Sequence, residues 1–288
     1  MSAVTILRGR HVIITGGSEG IGLAAAKVAL SRGAKVSLIA RRADVLEQAA
    51  TTLGDSTSWA AADVSDAEGL QSAVDTLCDN NGPCDVLLTS AGYARPGYFH
   101  ELPIDDFRQE MEVNYLGTVF AVRAVIESMI ERHAGHVVVV SSVAGLLGVY
   151  GYTSYSPTKF AVRGFAEALR AEVHPFGIKT SIVYPPDTET PGLDRENFTK
   201  PAETVMISGT ISPRPADVVA EAIISGIERN KLTITADAAT AVLARGSGVL
   251  GPVLRQLIDR DVSSVQKSGR GDPLVAAPST LRSGGSPS

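Results

Sequence analysis

The sequence predicts an α/β protein: a single domain built on one doubly wound parallel sheet with helices on both faces, followed by a polar tail. Three observations predict it. Short β-branched runs alternate with helical patterns along most of the 288 residues, the arrangement that builds a parallel sheet. The first strand runs straight into a glycine turn and then a helix, the context a dinucleotide-binding fingerprint requires. A tyrosine and a lysine four positions apart, Tyr155 and Lys159, follow an apolar run with Ser142 at its end, where open parallel sheets place their ligands.

Composition narrows the function. The chain is 44% hydrophobic and 20% charged, as in ordinary soluble globular proteins. Its net charge is -5 with no long basic block, which argues against a nucleic-acid partner. Cys78 and Cys84 match no metal or redox spacing and read as reduced cytosolic thiols. The five histidines form no ligand pair of recognised spacing, so no metal is expected. Met1 to Gly9 lacks the charged segment and apolar core of a signal peptide. No run of about 18 uncharged apolar residues occurs, so no spanning helix is expected, and the chain reads as cytoplasmic.

His11 to Thr15 is the first strand. Gly16-Gly-Ser-Glu-Gly-Ile-Gly22 is the turn, and Leu23 to Leu30 is helical in pattern. Glycines there let the backbone approach a pyrophosphate seated at the helix N-terminus. Lys35 to Ala40 is the second strand, followed by Arg41 and Arg42. An acid at this place binds a ribose hydroxyl, whereas an arginine accommodates a 2′-phosphate. Two arginines and no acid favour NADP(H) over NAD(H), although Glu19 adds a negative charge nearby. Asp44 is the expected N-cap of the helix through Leu53. Ser58 to Ala62 is the third strand, and Asp63 at its end has two open roles, adenine contact or helix cap. After the strand Val86 to Thr89 come the small residues Ser90, Ala91 and Gly92, which let a cofactor lie against the strand end.

Residues 104–132 are helical in pattern, with Asn114 inside. Asparagine is a poor helix-interior residue. Either a buried amide bends the helix there and holds a water, or the side chain is exposed and neutral. His136 to Val140 reads as a buried strand. Tyr155 and Lys159 then share one helix face. A neighbouring ammonium favours the phenolate and lowers the phenol from its usual pKa of about 10, making Tyr155 a proton donor near neutral pH. Pro157 is tolerated only in a first turn, so the helix is expected to start near Thr153 or Ser154.

Gly177 to Tyr184 is a further strand. Pro185 to Gly192 reads as irregular, and residues 186–213 as a lid over the site. A helix over 215–229 and a last strand at Leu232 to Thr235 follow. Residues 238–259, apolar but broken by glycines, Pro252 and arginines, read as a helix packed on the core or a partner, ahead of a piece lying weakly on a membrane surface. The domain is expected over 1–259 and a disordered polar tail over 260–288.

These stretches together resemble the short-chain dehydrogenase/reductase family over roughly residues 9 to 235. The resemblance rests on Thr15-Gly-Gly-Ser-Glu-Gly-Ile-Gly22, Asp63-Val64, Ser90-Ala91-Gly92, Asn114, Ser141-Ser142 and Tyr155 with Lys159. Within it the chain is similar to the 3-ketodihydrosphingosine reductases, through Asn114-Tyr-Leu-Gly117, Tyr152-Thr-Ser-Tyr-Ser156, Tyr184-Pro-Pro-Asp-Thr-Glu-Thr-Pro191 and Thr199-Lys-Pro201. It departs from most of the family in carrying Pro185-Pro186 for Pro-Gly and Thr89-Ser90 for Asn-Asn. Eukaryotic members of the subgroup also have apolar membrane segments near the C-terminus, where this chain has only 238–259.

The resemblance implies a Rossmann fold and a catalytic set of Asn114, Ser142, Tyr155 and Lys159. Tyr155 protonates the nascent alkoxide and Ser142 hydrogen-bonds that oxygen. Lys159 lowers the Tyr155 pKa and holds the nicotinamide ribose, and Asn114 positions a water. Gly16, Ser18, Glu19 and Gly20 form the phosphate turn. Arg41 and Arg42 take the 2′-phosphate, Asp63 meets the adenine, and Thr188 and Thr190 meet the nicotinamide amide. Ile21, Val64, Ala91, Gly92 and Pro185 complete the cofactor set. The implied activity is NADPH-dependent reduction of a ketone to a secondary alcohol, on a long-chain β-keto lipid such as 3-ketodihydrosphingosine. The alternatives are a general ketone or 3-oxoacyl carrier reductase, and an NADP-binding sensor without turnover. A homodimer or homotetramer built on 104–132 and 153–173 is also implied.

Overall fold

The computed structural model describes residues 5–209 and 212–272. The chain order is β1 (His11–Thr15), α1 (Gly20–Ser31), β2 (Lys35–Ala40), α2 (Ala43–Leu53), β3 (Thr57–Ala61), α3 (Ala67–Asn81), β4 (Val86–Thr89) and α4 (Ile104–Glu110). A π-helical turn, Met111–Leu116, joins α4 to α5 (Gly117–Glu131). Then come β5 (His136–Val140), α6 (Tyr155–Val173), β6 (Lys179–Tyr184), β7 (Thr188–Glu189), α7 (Pro191–Asn197) and α8 (Ala202–Ser208). The described chain closes with β8 (Arg214–Pro215), α9 (Ala216–Glu228), β9 (Thr233–Thr235) and α10 (Ala238–Lys267).

Seven strands pair in the order β3-β2-β1-β4-β5-β6-β9, and every pairing is parallel. This is the doubly wound Rossmann sheet that the βα alternation predicts. Side chains alternate between its faces. Ile14, Leu38, Leu88 and Val138 pack with Ala25 and Ala29 of α1 and Ile223 and Ile227 of α9. Ile13, Leu87, Val137 and Val139 pack on the other face with Leu70 of α3, Val125 and Met129 of α5 and Val162 of α6. Both faces are covered, so the central strands need no polar alternation. That is why they appear in the sequence as unbroken apolar runs.

Two polar links cross the bottom of this sheet. His11 on β1 meets the Ser37 hydroxyl of β2 at 2.7 Å, and His136 Nε2 on β5 meets the Ser181 hydroxyl of β6 at 2.7 Å. Ser181 donates to the Lys231 carbonyl at 2.6 Å, so His136 must be the donor to Ser181, in its neutral Nε2–H form. Its Nδ1 is buried without a partner among the described residues. Burial pushes the His136 pKa from 6.5 down to about 4. The unfolded chain therefore takes up a proton here before the folded one does. Stability from this site is complete above pH 6.5 and falls as the pH drops towards 4, by about 3 kcal/mol. Urea unfolding at pH 7 and pH 4.5 should show the loss in the unmodified protein and a shallower slope in His136→Leu. Equal slopes would remove His136 as the cause.

Local structure differs from expectation in four places. α2 begins at Ala43 with Arg42 as its N-cap and no side-chain cap. Asp44 instead lies in the first turn, where its charge suits the helix dipole. Residues 104–131 are interrupted by the π turn over Met111–Leu116. By length and composition this stretch is the one helix among the described residues able to cross a membrane. Here it is a core helix, with Ala121, Val122, Val125 and Met129 packed against the sheet. Pro185 to Gly192 is not irregular throughout: Thr188–Glu189 pairs with Arg214–Pro215, and α7 starts at Pro191. Finally, α10 runs to Lys267, past the boundary expected at 259. The remainder of the expected tail, 273–288, lies outside the described residues.

The segment expected to form a lid is tied down at the first turn of α8. Glu203 is wholly buried and accepts from Tyr98 Oη at 3.3 Å, Gln266 Nε2 at 2.5 Å and the Asp272 backbone N–H at 3.0 Å. Thr204 donates to the Tyr150 carbonyl at 2.9 Å. Residues 202–208 are thus clamped between the loops after β4 and β5 and the end of α10.

Candidate active site

The strand order reverses between β1 and β4, and at such a switch point an open α/β sheet leaves a crevice beyond its strand ends. A cavity of about 1710 Å³ occupies it. The glycine turn forms one wall. Gly16 has φ +68°, and a Cβ there would lie 2.7 Å from Ala91 Cα and N, so only glycine allows β1 and β4 to approach this closely. Gly20 also has positive φ, +57°. α1 has no side-chain cap and no acid in its first turn. Its opening N–H groups are therefore unclaimed by side chains, the arrangement that receives a phosphate. Ser18, Glu19 and Ile21 line the same wall. These residues fit a dinucleotide.

Arg41 and Arg42 stand at the far end of that wall. Arg41 pairs with Asp63 at 3.8 Å and Arg42 with Glu19 at 2.7 Å, with more than half of each arginine side chain exposed. Exposed pairs of this kind contribute little to stability, so both guanidinium groups are available to a phosphate. Asp63 Oδ1 accepts from the Ser65 backbone N–H at 2.9 Å and the Ser65 hydroxyl at 2.7 Å. It is not the α3 cap, since Asp66 accepts from Gly69 N–H there. Val64 is buried beside it. Arg195 of α7, which the sequence reading did not single out, also pairs with Glu19. Burial works against the Glu19 charge, but the hydrogen bonds from Arg195 and Arg42 outweigh it and hold the carboxyl below its usual range.

The catalytic candidates converge where β5 ends and α6 begins. Ser142 lies just past β5, and its Oγ accepts from the Ala144 N–H at 3.1 Å. Ser154 is the residue before α6, which puts Tyr155 and Pro157 in the first turn. Lys159 is buried, donates to the Val140 carbonyl at 3.1 Å, and stands 5.6 Å from the Tyr155 ring centre. Asn114 is wholly buried. It donates to the Tyr93 carbonyl at 2.9 Å and Thr158 Oγ1 at 3.1 Å, while its Oδ1 accepts from Tyr93 N–H at 3.0 Å. Of the two readings left open for Asn114, the structure selects the buried amide. The π turn carries it, and such turns concentrate at functional sites. Gly92 completes the group: a Cβ there would lie 2.9 Å from Asn114 Oδ1 and 3.4 Å from Lys159 Nζ.

The electrostatics reverse one expectation. Burial pushes the Tyr155 phenol well above its ordinary value. The carboxylates Glu196, Glu110 and Asp187 add to this, and only the Ser142 hydrogen bond works the other way. Burial also pulls Lys159 down to about 8. An ammonium itself starved of solvent and offset from the ring does not offset the desolvation of a phenolate.

The third wall is the segment from Pro185 to α7. The Pro185 carbonyl accepts from Val143 N–H at 3.2 Å. Thr188 donates to the Pro186 carbonyl at 2.8 Å. Thr190 caps α7 by accepting from Leu193 N–H at 3.1 Å, and its methyl faces Gly20. All three line the cavity. The same segment also supplies Glu196, whose Oε2 accepts from Tyr152 Oη at 3.1 Å, and Asp187, paired with Lys200 at 3.6 Å. Behind the site Glu110 is wholly buried, and burial raises it to about 7. Sequence reasoning assigned roles to none of Glu196, Tyr152, Asp187 and Glu110. The available signal was their position: Glu110 lies one helical turn before Asn114, and Glu196 and Asp187 are acids within the lid.

A model of the short chain dehydrogenase family matches residues 10–200. The chain belongs to that family. It is therefore an oxidoreductase acting on CH–OH groups with a nicotinamide cofactor. Among its relatives, a 3-dehydrosphinganine reductase of Danio rerio is 41% identical over 235 residues, covering 79% of this chain and 71% of the relative. A 3-ketodihydrosphingosine reductase of Bos taurus is 43% identical over 226 residues, 76% and 68% of the two chains. One of Dictyostelium discoideum is 37% identical over 277 residues, 88% and 82%. Asn114, Ser142, Tyr155 and Lys159 fall within the matched span; the last three line one cavity, and Asn114 is buried.

Proposed function

We propose that this protein reduces the ketone of a long-chain β-keto lipid, 3-ketodihydrosphingosine among them, to a secondary alcohol with NADPH. The observation that carries the reading is a half-buried Tyr155 that shares, with Ser142, a cavity also lined by Leu147, Val149, Leu193, Val242, Leu254 and Leu257. A polar reacting end thus continues into an apolar channel between the lid and α10, which suits a substrate with a polar head and a hydrocarbon chain. The paired arginines Arg41 and Arg42 support the 2′-phosphorylated cofactor.

A reduced nicotinamide held along the glycine turn would supply a hydride to the carbonyl carbon. Ser142 Oγ and the Tyr155 hydroxyl hold the carbonyl oxygen of the substrate between them. Tyr155 Oη gives its proton to that oxygen as it becomes an alkoxide. Lys159 Nζ, still largely protonated at neutral pH, stabilises the phenolate left behind. Asn114 fixes the backbone at Tyr93 and the Thr158 hydroxyl, so the floor beneath Tyr155 keeps its shape during transfer.

Purified protein offered NADPH or NADH with 3-ketodihydrosphingosine, a short polar ketone and a 3-oxoacyl thioester should oxidise NADPH fastest with the first. Turnover confined to the short ketone or the thioester would overturn the lipid assignment and leave a reductase. No turnover with any of them, alongside tight NADPH binding, would favour the sensor reading.

A further inference from the structure

We infer that Glu196 recognises the substrate by holding an ammonium on the carbon next to the reacting carbonyl. The inference rests on the reductase reading above and extends it to the headgroup of the lipid.

Glu196 lies near the end of α7, on the lid, and lines the same cavity as Tyr155 and Ser142. It is fixed there by one hydrogen bond, from Tyr152 Oη to Oε2 at 3.1 Å. Tyr152 is itself buried, with its ring centre 5.6 Å from that of Tyr155. One carboxylate oxygen is therefore anchored next to the proton donor while the group as a whole faces the cavity. Among the described residues no cationic side chain lies within ion-pair distance of it. Two cations act on it from beyond that distance: Lys200, which pairs with Asp187 at 3.6 Å, and Lys159, which donates to the Val140 carbonyl.

A half-buried carboxylate with no cation in ion-pair contact is costly, and this one stands where its charge obstructs the chemistry. Tyr155 must become a phenolate in the reduction, and the Glu196 charge opposes that. A substrate that brings its own cation removes both problems. It neutralises Glu196 and relieves the phenol at the moment of proton transfer, so the pairing helps the transition state as well as binding. A sphingoid ketone, the class proposed above, carries its amine on the carbon adjacent to the carbonyl. With the carbonyl oxygen held by Tyr155 and Ser142, that amine falls on the neighbouring position, which Tyr152 and Glu196 flank. Asp187 also lines the cavity, but its charge is already matched by Lys200.

The test compares three ketones of equal chain length with NADPH: 3-ketodihydrosphingosine, its N-acetyl derivative and the des-amino analogue. In the unmodified protein, kcat/KM should be about ten- to a hundred-fold higher for the free amine than for either neutral ketone, the scale of one charge-assisted hydrogen bond. Glu196→Gln should erase most of that ratio, chiefly through KM for the amine. The inference is overturned if the unmodified protein treats all three ketones alike, or if Glu196→Gln lowers activity on all three in proportion. If the unmodified protein reduces none of them, the lipid-reductase reading fails, a result distinct from loss of amine selectivity alone. NADPH affinity and thermal midpoint of the variant separate a selectivity change from misfolding, and the N-acetyl comparison needs no variant.

Discussion

Tyr155→Phe is expected to lower turnover by about a hundred to ten thousand-fold, the usual contribution of a positioned acid, while NADPH binding stays nearly unchanged. The substitution removes one hydroxyl. The ring remains packed against Tyr152, 5.6 Å between centres, so the first turn of α6 and the cavity floor should survive. What disappears is the proton held beside Ser142. Burial pushes this phenol above its usual pKa, so it is protonated at neutral pH, the form that ketone reduction consumes. Oxidation of the alcohol needs the phenolate and should gain rate as the pH rises. Steady-state NADPH oxidation and cofactor-fluorescence titration measure the two halves of this expectation. A variant with unchanged turnover would remove Tyr155 from the mechanism.

The second large effect should follow from replacing Arg41 and Arg42 together with alanine. KM for NADPH is expected to rise about ten- to a hundred-fold or more, from the loss of up to two charge-assisted contacts to one phosphate, while KM for NADH changes far less. Both side chains are more than half exposed, and their partners in the structure are single carboxylates, Asp63 and Glu19. Their removal should therefore cost the fold little. Glu19 keeps Arg195 as a partner, so its position in the turn is not abandoned. Equal losses for NADPH and NADH would contradict the 2′-phosphate assignment.

The legibility of this site differs residue by residue. β5, Ser142 and the Tyr155–Lys159 pair could be read because strand periodicity, strand end and helical spacing are local properties, and Pro157 located the helix start. The glycine turn could be read because a close backbone approach excludes side chains, as Gly16 against Ala91 demonstrates. Asn114 was visible only as an anomaly, since a π turn leaves no periodic signature of its own. Around Pro191 the expected irregular chain is a helix instead. A threonine before a proline is a helix-start signal, and Thr190 does cap α7, but the density of prolines hid it. The direction of the Tyr155 shift was not accessible at all. It depends on burial and on Glu196, Glu110 and Asp187, which only tertiary packing brings near the phenol.

The carboxylate of Glu203 joins parts of the chain that are far apart in sequence. The segment after α10 donates to it through the Asp272 N–H, and α10 through Gln266, while Glu203 itself sits in the first turn of α8. The first turn of α8 is therefore fastened to the segment that ends the described chain. A cut made at 259 would remove Gln266 and Asp272, and with them two of the three hydrogen bonds that Glu203 accepts.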